Sequence, residues 1–265
     1  MHTAPPRAPE TAPASGATSV HLRLIDEGAQ DPARNMALDE ALLLAAAQPV
    51  LRLYGWAPDA VSLGYFQHIA EFADVAESTR MVRRLTGGGA IHHGDELTFG
   101  LAIDAALLPQ SIDDSYALLH DAVIRALQGI GVAATRVQGG HTPSARPHDR
   151  WCFATAGHND LVDAEGRKLV GSAQRRIRTA DGRLRVLHHG SIVLQPPHWT
   201  PDVAAVAHQT DPVAARQPLA ESLPREIASA LALDLRSGQC SESESEVADK
   251  LQRERYEALA FLRTR

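Results

Sequence analysis

WCFATAGHNDLVDAEGRKLVGSAQRR, from Trp151 to Arg176, and VLHHGSIVL, from Val186 to Leu194, form the stretch around which the chain is organised. The two segments divide into three strand-like pieces separated by polar turns. Cys152 lies in the first piece and Lys168 in the second, so a thiol and an amine could face one pocket. Lys168 is one of only two lysines in an arginine-rich chain, which suggests a need for a compact ammonium there.

Length and composition limit the classes of function. A chain of 265 residues with 44% hydrophobic content can bury a large core and is long enough to be an enzyme. Its net charge of −6 and its scattered arginines exclude the basic face that nucleic acid requires. An acidic carrier or a small molecule is the easier partner. Cys152 and Cys240 lie in unlike contexts that predict no disulfide framework, which is typical of a cytoplasmic protein.

Composition also predicts where the folded part of the chain begins. Residues 1–19 are rich in Pro, Ala, Ser and Thr and are predicted to be a disordered tail. Residues 20–265 are predicted to form a single catalytic domain that includes the C-terminal helices. The most apolar run, Ala41 to Ala47, is far shorter than the ~20 residues of a membrane-spanning helix. No membrane partner is therefore expected.

Periodicity and turn residues predict a mixed α/β fold. Strands are expected at His21–Ile25, Val50–Tyr54, Ala60–Gly64, Met81–Leu85, Leu97–Ile103 and Val132–Val137, with the second and third joined like a hairpin. Helices are expected from Pro32 to Ala47 with Asp31 as N-cap, at Ala70–Glu77, at Ser115–Gln128 after an Asp113 or Asp114 cap, at Leu223–Ala232 and at Glu242–Leu262. A polar, partner-facing loop is predicted at Gly139–Asp149, and another long loop crosses Pro212 and Pro218.

A glycine triplet and two histidine pairs are the other features that could carry chemistry. Gly87, Gly88 and Gly89 join two strands and would let backbone approach a ligand closely. Their spacing fits neither a P-loop nor a dinucleotide-binding turn. In the pairs His92-His93 and His188-His189, neighbours on a strand point to opposite faces. Each pair can therefore offer one ring to a site, and no metal site is expected.

Cys152 and Lys168 are the candidate catalytic pair. An ammonium near a thiol favours the thiolate, which is the nucleophilic form, and can later stabilise an oxyanion. The alternative is that Cys152 is an inert, buried small hydrophobe, as many cysteines are. Cys240 lies in a segment rich in Ser and Glu, without a comparable lysine, and is not a candidate nucleophile.

Six ordered motifs between Asn35 and Leu194 resemble one known family. They read NMALDEALL, LRLYGWAPDAVSLGYFQ, RRLTGGGAIHHGDELTFGLAI, CFATAGHNDLV, EGRKLVGSAQRR and HHGSIVL. Together they are similar to the lipoate–protein ligase and octanoyltransferase family, which shares a fold with biotin protein ligases. The resemblance implies a mixed sheet with a smaller companion sheet, flanked by helices. It also implies an acyl tunnel near the glycine triplet, with Lys168 at the acyl carbonyl.

Within that family, the match of Cys152 to a cysteine of the CF motif implies the cysteine-dependent octanoyltransferases. Such enzymes take octanoyl from acyl carrier protein as a thioester and pass it to a lysine of a lipoyl-domain protein such as glycine cleavage protein H. The resemblance implies no cofactor. It implies that the acyl pocket is shaped and lined by Arg83, Gly87, Gly88, Gly89, His93, Ser172, Gln174 and His189, with His92 facing away.

Two other activities and one non-catalytic function remain open. An ATP-dependent lipoate–protein ligase would form an acyl-adenylate, and Gly89 favours it because the transferases often have arginine at that position. A lipoyl amidotransferase would move the group between carrier proteins with a similar cysteine. A binding module would hold an acyl group or carrier without turnover, but it would have no need of both Cys152 and Lys168.

Overall fold

The computed structural model describes residues 20–139 and 150–264, so the predicted tail and nearly all of the loop predicted at Gly139–Asp149 lie outside the described residues. The predicted architecture, a mixed sheet with a smaller sheet and flanking helices, is confirmed. The single-domain organisation stays a prediction.

Eight strands form the large sheet, in the order β11-β1-β2-β6-β10-β9-β8-β7. Their bounds are β1 His21–Gln30, β2 Val50–Trp56, β6 Glu96–Asp104, β7 Thr135–Arg136, β8 Leu161–Val162, β9 Lys168–Arg178, β10 Leu184–Val193 and β11 Asp234–Ser237. The smaller sheet has the order β4-β3-β5, with β3 Ala60–Leu63, β4 Arg80–Arg83 and β5 Ile91–His93. β6 pairs antiparallel with both β2 and β10, which places these three strands at the centre of the large sheet.

Helices cover both faces of the large sheet. The described helices are α1 Pro32–Ala45, α2 Ala73–Ala76, α3 Ile112–Gly129, α4 Pro212–Ala230, α5 Glu242–Leu251 and α6 Leu259–Leu262. One core cluster joins α3 and α4 to the central strands, while α1 packs its own apolar side chains on the opposite face. Because both faces of β6 are covered, its residues from Glu96 to Ile103 are all buried.

Local signals in the sequence explain where several helices begin. Asp31 caps α1 as predicted, since its side chain accepts from the amides of Ala33 and Arg34. α3 is capped by Ser111 rather than by Asp113 or Asp114, and those two acids lie instead in its first turn. There they still face the positive end of the helix dipole.

Three other predictions of local structure were wrong. β2 and β3 do not form a hairpin, because they belong to different sheets. The predicted loop across Pro212 and Pro218 is helix α4, which begins with the same Asp-Pro signature as α1 and keeps two prolines inside it. The single helix predicted at Glu242–Leu262 is divided by a π-helical turn at Gln252–Tyr256.

No described helix has the length and apolar character needed to cross a membrane.

Candidate active site

Cys152 is held by the end of the glycine triplet. Its amide donates to the carbonyl of Ala90 at 2.8 Å, and the amide of Ala90 donates to the carbonyl of Arg150 at 2.8 Å. These bonds make a short parallel bridge, after which Cys152 lies in a turn rather than at the start of the predicted strand. A Cβ atom on Gly89 would lie 2.7 Å from the Cys152 amide nitrogen, so only glycine fits this contact.

Lys168 reaches the same point from the large sheet. It is the first residue of β9, and its Nζ atom lies 3.3 Å from the Sγ atom and 3.1 Å from the carbonyl oxygen of Cys152. Only 5% of the residue is exposed. Burial alone would lower the pKa of Lys168, but the opposing charges of Cys152 and Asp160 outweigh it and raise the pKa. Lys168 is therefore a cation beside the sulfur.

Asp160 is the counter-charge of Lys168, with Oδ2 of Asp160 2.7 Å from Nζ. The same oxygen accepts from the amide of Gly157 at 2.7 Å, which fixes the carboxylate. Asp160 lies just before β8, whose Val162 pairs with Lys168 in the adjacent strand. Asp160 is not among the site residues predicted from the sequence. The hairpin register between β8 and β9 is the signal that could have found it.

A cavity lined in part by Cys152 encloses about 430 Å³ of empty space, including the part that is open to solvent. The small sheet and the glycine triplet supply one wall, and the large sheet with α1 supplies the other. The lining residues are Met36, Tyr54, Trp56, Ser62, Arg84, Gly87, Gly88, Ile91, His93, Thr98, Cys152, Gly171, Ser172, Ala173, His189, Gly190 and Ser191.

Six of the residues singled out from the sequence line this cavity, namely Cys152, Gly87, Gly88, His93, Ser172 and His189. Lys168 and Gly89 are not part of the lining, but both contact Cys152 directly. The structure therefore brings together eight of these residues at one cavity and its immediate border. Their chemical roles stay predictions.

Arg83 and Gln174 lie elsewhere, which corrects the predicted pocket. Arg83 is buried on the other side of β4, where its Nη1 atom donates to the carbonyl of Gln67 at 2.8 Å and its Nη2 atom to that of Leu262 at 2.7 Å. Gln174 points toward α3 and donates to the Ser115 hydroxyl at 3.2 Å. Adjacent residues of an extended chain point to opposite sides, and here the neighbours Arg84 and Ala173 face the cavity.

Arg84 occupies the cavity wall in place of Arg83. Its Nη2 atom donates to the carbonyls of Gly87 at 2.8 Å and Gly89 at 2.6 Å, which folds the triplet around the guanidinium. Its Nε atom has no partner among the described residues, and no carboxylate pairs with it there. Burial lowers the pKa of Arg84 to about 10, while the Cys152 sulfur opposes that shift. Arg84 is a second positive charge near the sulfur.

The histidine pairs divide between two environments, as alternation on a strand requires. His93 and His189 line the cavity. The Nδ1 atom of His92 instead accepts from the Trp199 amide at 3.3 Å. His188 packs between the rings of Tyr116 and His120 on the α3 side. No cluster of three potential metal ligands occurs within residues 20–139 and 150–264.

Two buried carboxylates support the histidines of the cavity. Glu96 accepts from His93 at 2.8 Å, from Ser191 at 2.8 Å and from Thr98. Burial raises the pKa of Glu96, but the interaction with His93 and the hydrogen bonds from Thr98 and Ser191 outweigh burial and lower it. Asp39 similarly binds Arg52, Tyr54 and His189. Neither acid was predicted from the sequence, because both lie inside the family motifs and resemble ordinary surface charges there.

Ser172 is oriented by His120 from α3. The Nδ1 atom of His120 faces the carbonyl of Asn159 and must donate to it, so Nε2 accepts from the Ser172 hydroxyl at 2.6 Å. Burial lowers the pKa of His120 to about 4, which keeps the ring neutral near pH 7. The Ser172 proton is thereby directed away from the cavity.

The chain is similar to known proteins in both sequence and fold. Residues 31–210 match the lipoyl protein ligase A/B catalytic domain. The chain is 36% identical over 185 residues to an octanoyltransferase LipM of Kyrpidia tusciae, and the alignment covers 65% of each chain. It is 39% identical over 183 residues to an octanoyltransferase LipM of Moorella thermoacetica, covering 65% of this chain and 64% of that one. The chain thus spans just under two thirds of the length of these relatives.

Solved structures show the same fold. A lipoate-protein ligase A bound with ATP superposes with a TM-score of 0.69 at 20% identity, covering 92% of this chain and 98% of the other. A bi-partite lipoate protein ligase from Thermoplasma acidophilum, described with its E2 lipoyl domain, gives a TM-score of 0.66 at 21% identity and covers 91% and 96%. At these identities, the likeness establishes the fold alone.

Proposed function

Because this chain belongs to the lipoyl protein ligase A/B catalytic domain family, we propose that it transfers an octanoyl group from acyl carrier protein to a lysine of a lipoyl-domain protein, such as glycine cleavage protein H. The sequence similarity to octanoyltransferases supports the acyl group and the reaction class. The contact between Lys168 and Cys152 supports the cysteine as the nucleophile.

The first half of the proposed reaction forms an acyl-enzyme. The Cys152 thiolate attacks the carbonyl carbon of the octanoyl thioester, and negative charge develops on the carbonyl oxygen. The Lys168 ammonium stabilises that oxygen from within the buried site, where its charge is poorly screened. The carrier thiol then leaves and takes a proton, so that one thioester replaces another.

The second half transfers the group to the acceptor. The neutral amine of the target lysine attacks the Cys152 thioester, an amide bond forms, and the nitrogen releases one proton to solvent. The sulfur leaves as the thiolate, which restores the starting form of the site. The first exchange is nearly isoenergetic and the second runs downhill, so no ATP is required. The cavity would hold the alkyl chain between the two sheets, since Met36, Trp56 and Ile91 give it apolar walls.

The test is octanoyl transfer from octanoyl-acyl carrier protein to apo glycine cleavage protein H without ATP. Wild type should transfer, whereas Cys152→Ala and Lys168→Ala should not. The half-buried Cys240 provides the matched control, because Cys240→Ala should transfer at the wild-type rate. Labelling that needs ATP and free octanoate, and that survives Cys152→Ala, would identify a ligase and overturn the proposal.

A further inference from the structure

Ser62, His93 and Glu96 form a hydrogen-bonded chain at one wall of the cavity. The hydroxyl of Ser62 lies 2.7 Å from Nε2 of His93, and Nδ1 of His93 lies 2.8 Å from Oε1 of Glu96. β3 carries the serine and β5 the histidine, and the short turn after β5 brings the glutamate under the ring. The backbone of two elements thus fixes the order hydroxyl, imidazole, carboxylate.

The direction of each proton in this chain follows from the surroundings. Glu96 already accepts from Thr98 and Ser191 as an ionised carboxylate, so Nδ1 of His93 donates to it. Burial lowers the pKa of His93 despite that neighbour, so the ring is neutral and Nε2 accepts. The Ser62 proton therefore points at a base that a carboxylate orients. That arrangement is the one by which serine hydrolases activate their nucleophile.

Two further contacts favour reaction at the Ser62 oxygen. The Nη1 atom of Arg84 lies 3.2 Å from Oγ of Ser62, so a cation without an acidic partner among the described residues faces the oxygen that would become negative. Trp56 stacks on the His93 ring with centroids 3.7 Å apart, which fixes the orientation of the base. Ser62 and His93 both line the cavity that Cys152 also lines.

A second series of hydrogen bonds has the same order of hydroxyl, imidazole and carboxylate, but its hydroxyl does not reach the cavity. Thr86 Oγ1 lies 2.7 Å from Nε2 of His189, whose Nδ1 lies 3.3 Å from Asp39. Thr86 and Ser62 are both buried, but only Ser62 is among the residues that line the cavity. The Thr86 hydroxyl therefore has the partners of a nucleophile but no access to an acyl group.

We propose that Ser62 is a second nucleophile of this cavity, through which the protein hydrolyses medium-chain acyl thioesters and esters. The proposal shares the acyl cavity of the proposed function but not its nucleophile. Oγ of Ser62 attacks the acyl carbonyl, its proton passes to Nε2 of His93, and the thiolate leaves with that proton as a thiol. Water then attacks the serine ester through the same base, and the carboxylic acid leaves while Ser62 regains its proton.

The experiment uses the full chain carrying Cys152→Ala, so that no reaction at the sulfur contributes. An alkyl fluorophosphonate is added, and peptide mass mapping locates the adduct. We expect the adduct on Ser62, with Thr86 unmodified as the internal control. Adding His93→Gln should slow labelling by about 100-fold, the scale of a lost general base. Turnover of p-nitrophenyl octanoate should disappear with Ser62→Ala.

No adduct at Ser62 overturns the proposal, and so does a labelling rate that His93→Gln leaves unchanged. The first of these outcomes can be observed as long as Cys152→Ala folds, because it requires no other variant of the cavity. Failure of the octanoyl transfer assay combined with a Ser62 adduct would contradict the proposed function alone. Successful transfer without an adduct would contradict only the inference drawn here.

Discussion

Nζ of Lys168 lies between two partners, 3.3 Å from Sγ of Cys152 and 2.7 Å from Oδ2 of Asp160. The carboxylate fixes the ammonium where it can meet the sulfur and any carbonyl bound beside it. A buried cation placed in this way needs no reorganisation when charge develops on a substrate.

Asp160→Asn should therefore reduce octanoyl transfer while leaving the fold intact. Asparagine keeps the size of the side chain but removes the charge that holds Lys168. A hydrogen bond to a charged group contributes about 1.5–3 kcal/mol, which corresponds to a loss of about 10- to 100-fold in rate. The measurement is kcat under saturating donor. Glu165→Gln changes an exposed acid of the same hairpin and should have no effect; an equal loss in both variants would contradict this role of Asp160.

Arg84 and Arg83 offer a matched pair, because both are buried arginines at the end of the same strand but only Arg84 lines the cavity. Arg84→Gln should slow alkylation of Cys152 by iodoacetamide about tenfold at pH 7, since a positive charge favours the thiolate. Arg84→Lys should restore part of the rate because it restores the charge.

Arg83→Gln should instead lower the free energy of unfolding, by about 1–3 kcal/mol for a carbonyl left unpaired. It should leave the alkylation rate of the folded protein unchanged. Equal alkylation rates in Arg84→Gln and wild type would show that the charge of Arg84 does not act on the Cys152 sulfur.

The pH dependence of stability should carry the signature of His120. Its pKa is lowered from 6.5 to about 4 in the folded protein, so between these values only the unfolded chain binds the proton. The contribution of His120 to the free energy of unfolding is fully present above pH 6.5. It decreases by about 3 kcal/mol as the pH falls from 6.5 to 4.

Urea unfolding of wild type and His120→Gln across pH 4–7 measures this contribution. The difference between the two proteins should be largest near pH 7 and should shrink on acidification. His68→Gln, at an exposed position, should follow wild type throughout. A difference that does not vary with pH would contradict the assignment.

The sequence predicted the mixed architecture and the meeting of Cys152 with the glycine triplet and Lys168, because those features lie in ordered motifs. It named His93 rather than His92 for the cavity, as the structure has it, but it named Arg83 where the structure places Arg84. Arg83 and Arg84 differ only by one step along a strand, and the choice depends on the register between β3 and β4. The roles of Asp160, Glu96 and Asp39 were missed for a related reason, since the partners of a buried acid are set by tertiary contacts.

Met36 should help to set the length of acyl chain that the cavity accepts. It projects from α1 into the cavity wall beside Tyr54 and Trp56, and all three are buried in one core cluster. Trp56 is fixed by a hydrogen bond from its Nε1 atom to Thr98 at 2.9 Å, whereas an unbranched methionine carries no such restraint. Met36→Ala should therefore deepen the cavity at this point and lower the free energy of unfolding by about 2–5 kcal/mol.

Competition between octanoyl and dodecanoyl donors for the same acceptor measures the effect. We expect Met36→Ala to shift the ratio of transfer rates toward the longer chain by about tenfold, because about two of the added methylenes would occupy the space left by the side chain and each buried methylene is worth about 0.8 kcal/mol. Met81→Ala is the control, since Met81 packs in a different cluster and does not line the cavity. An unchanged ratio in folded Met36→Ala protein would place the end of the acyl chain elsewhere.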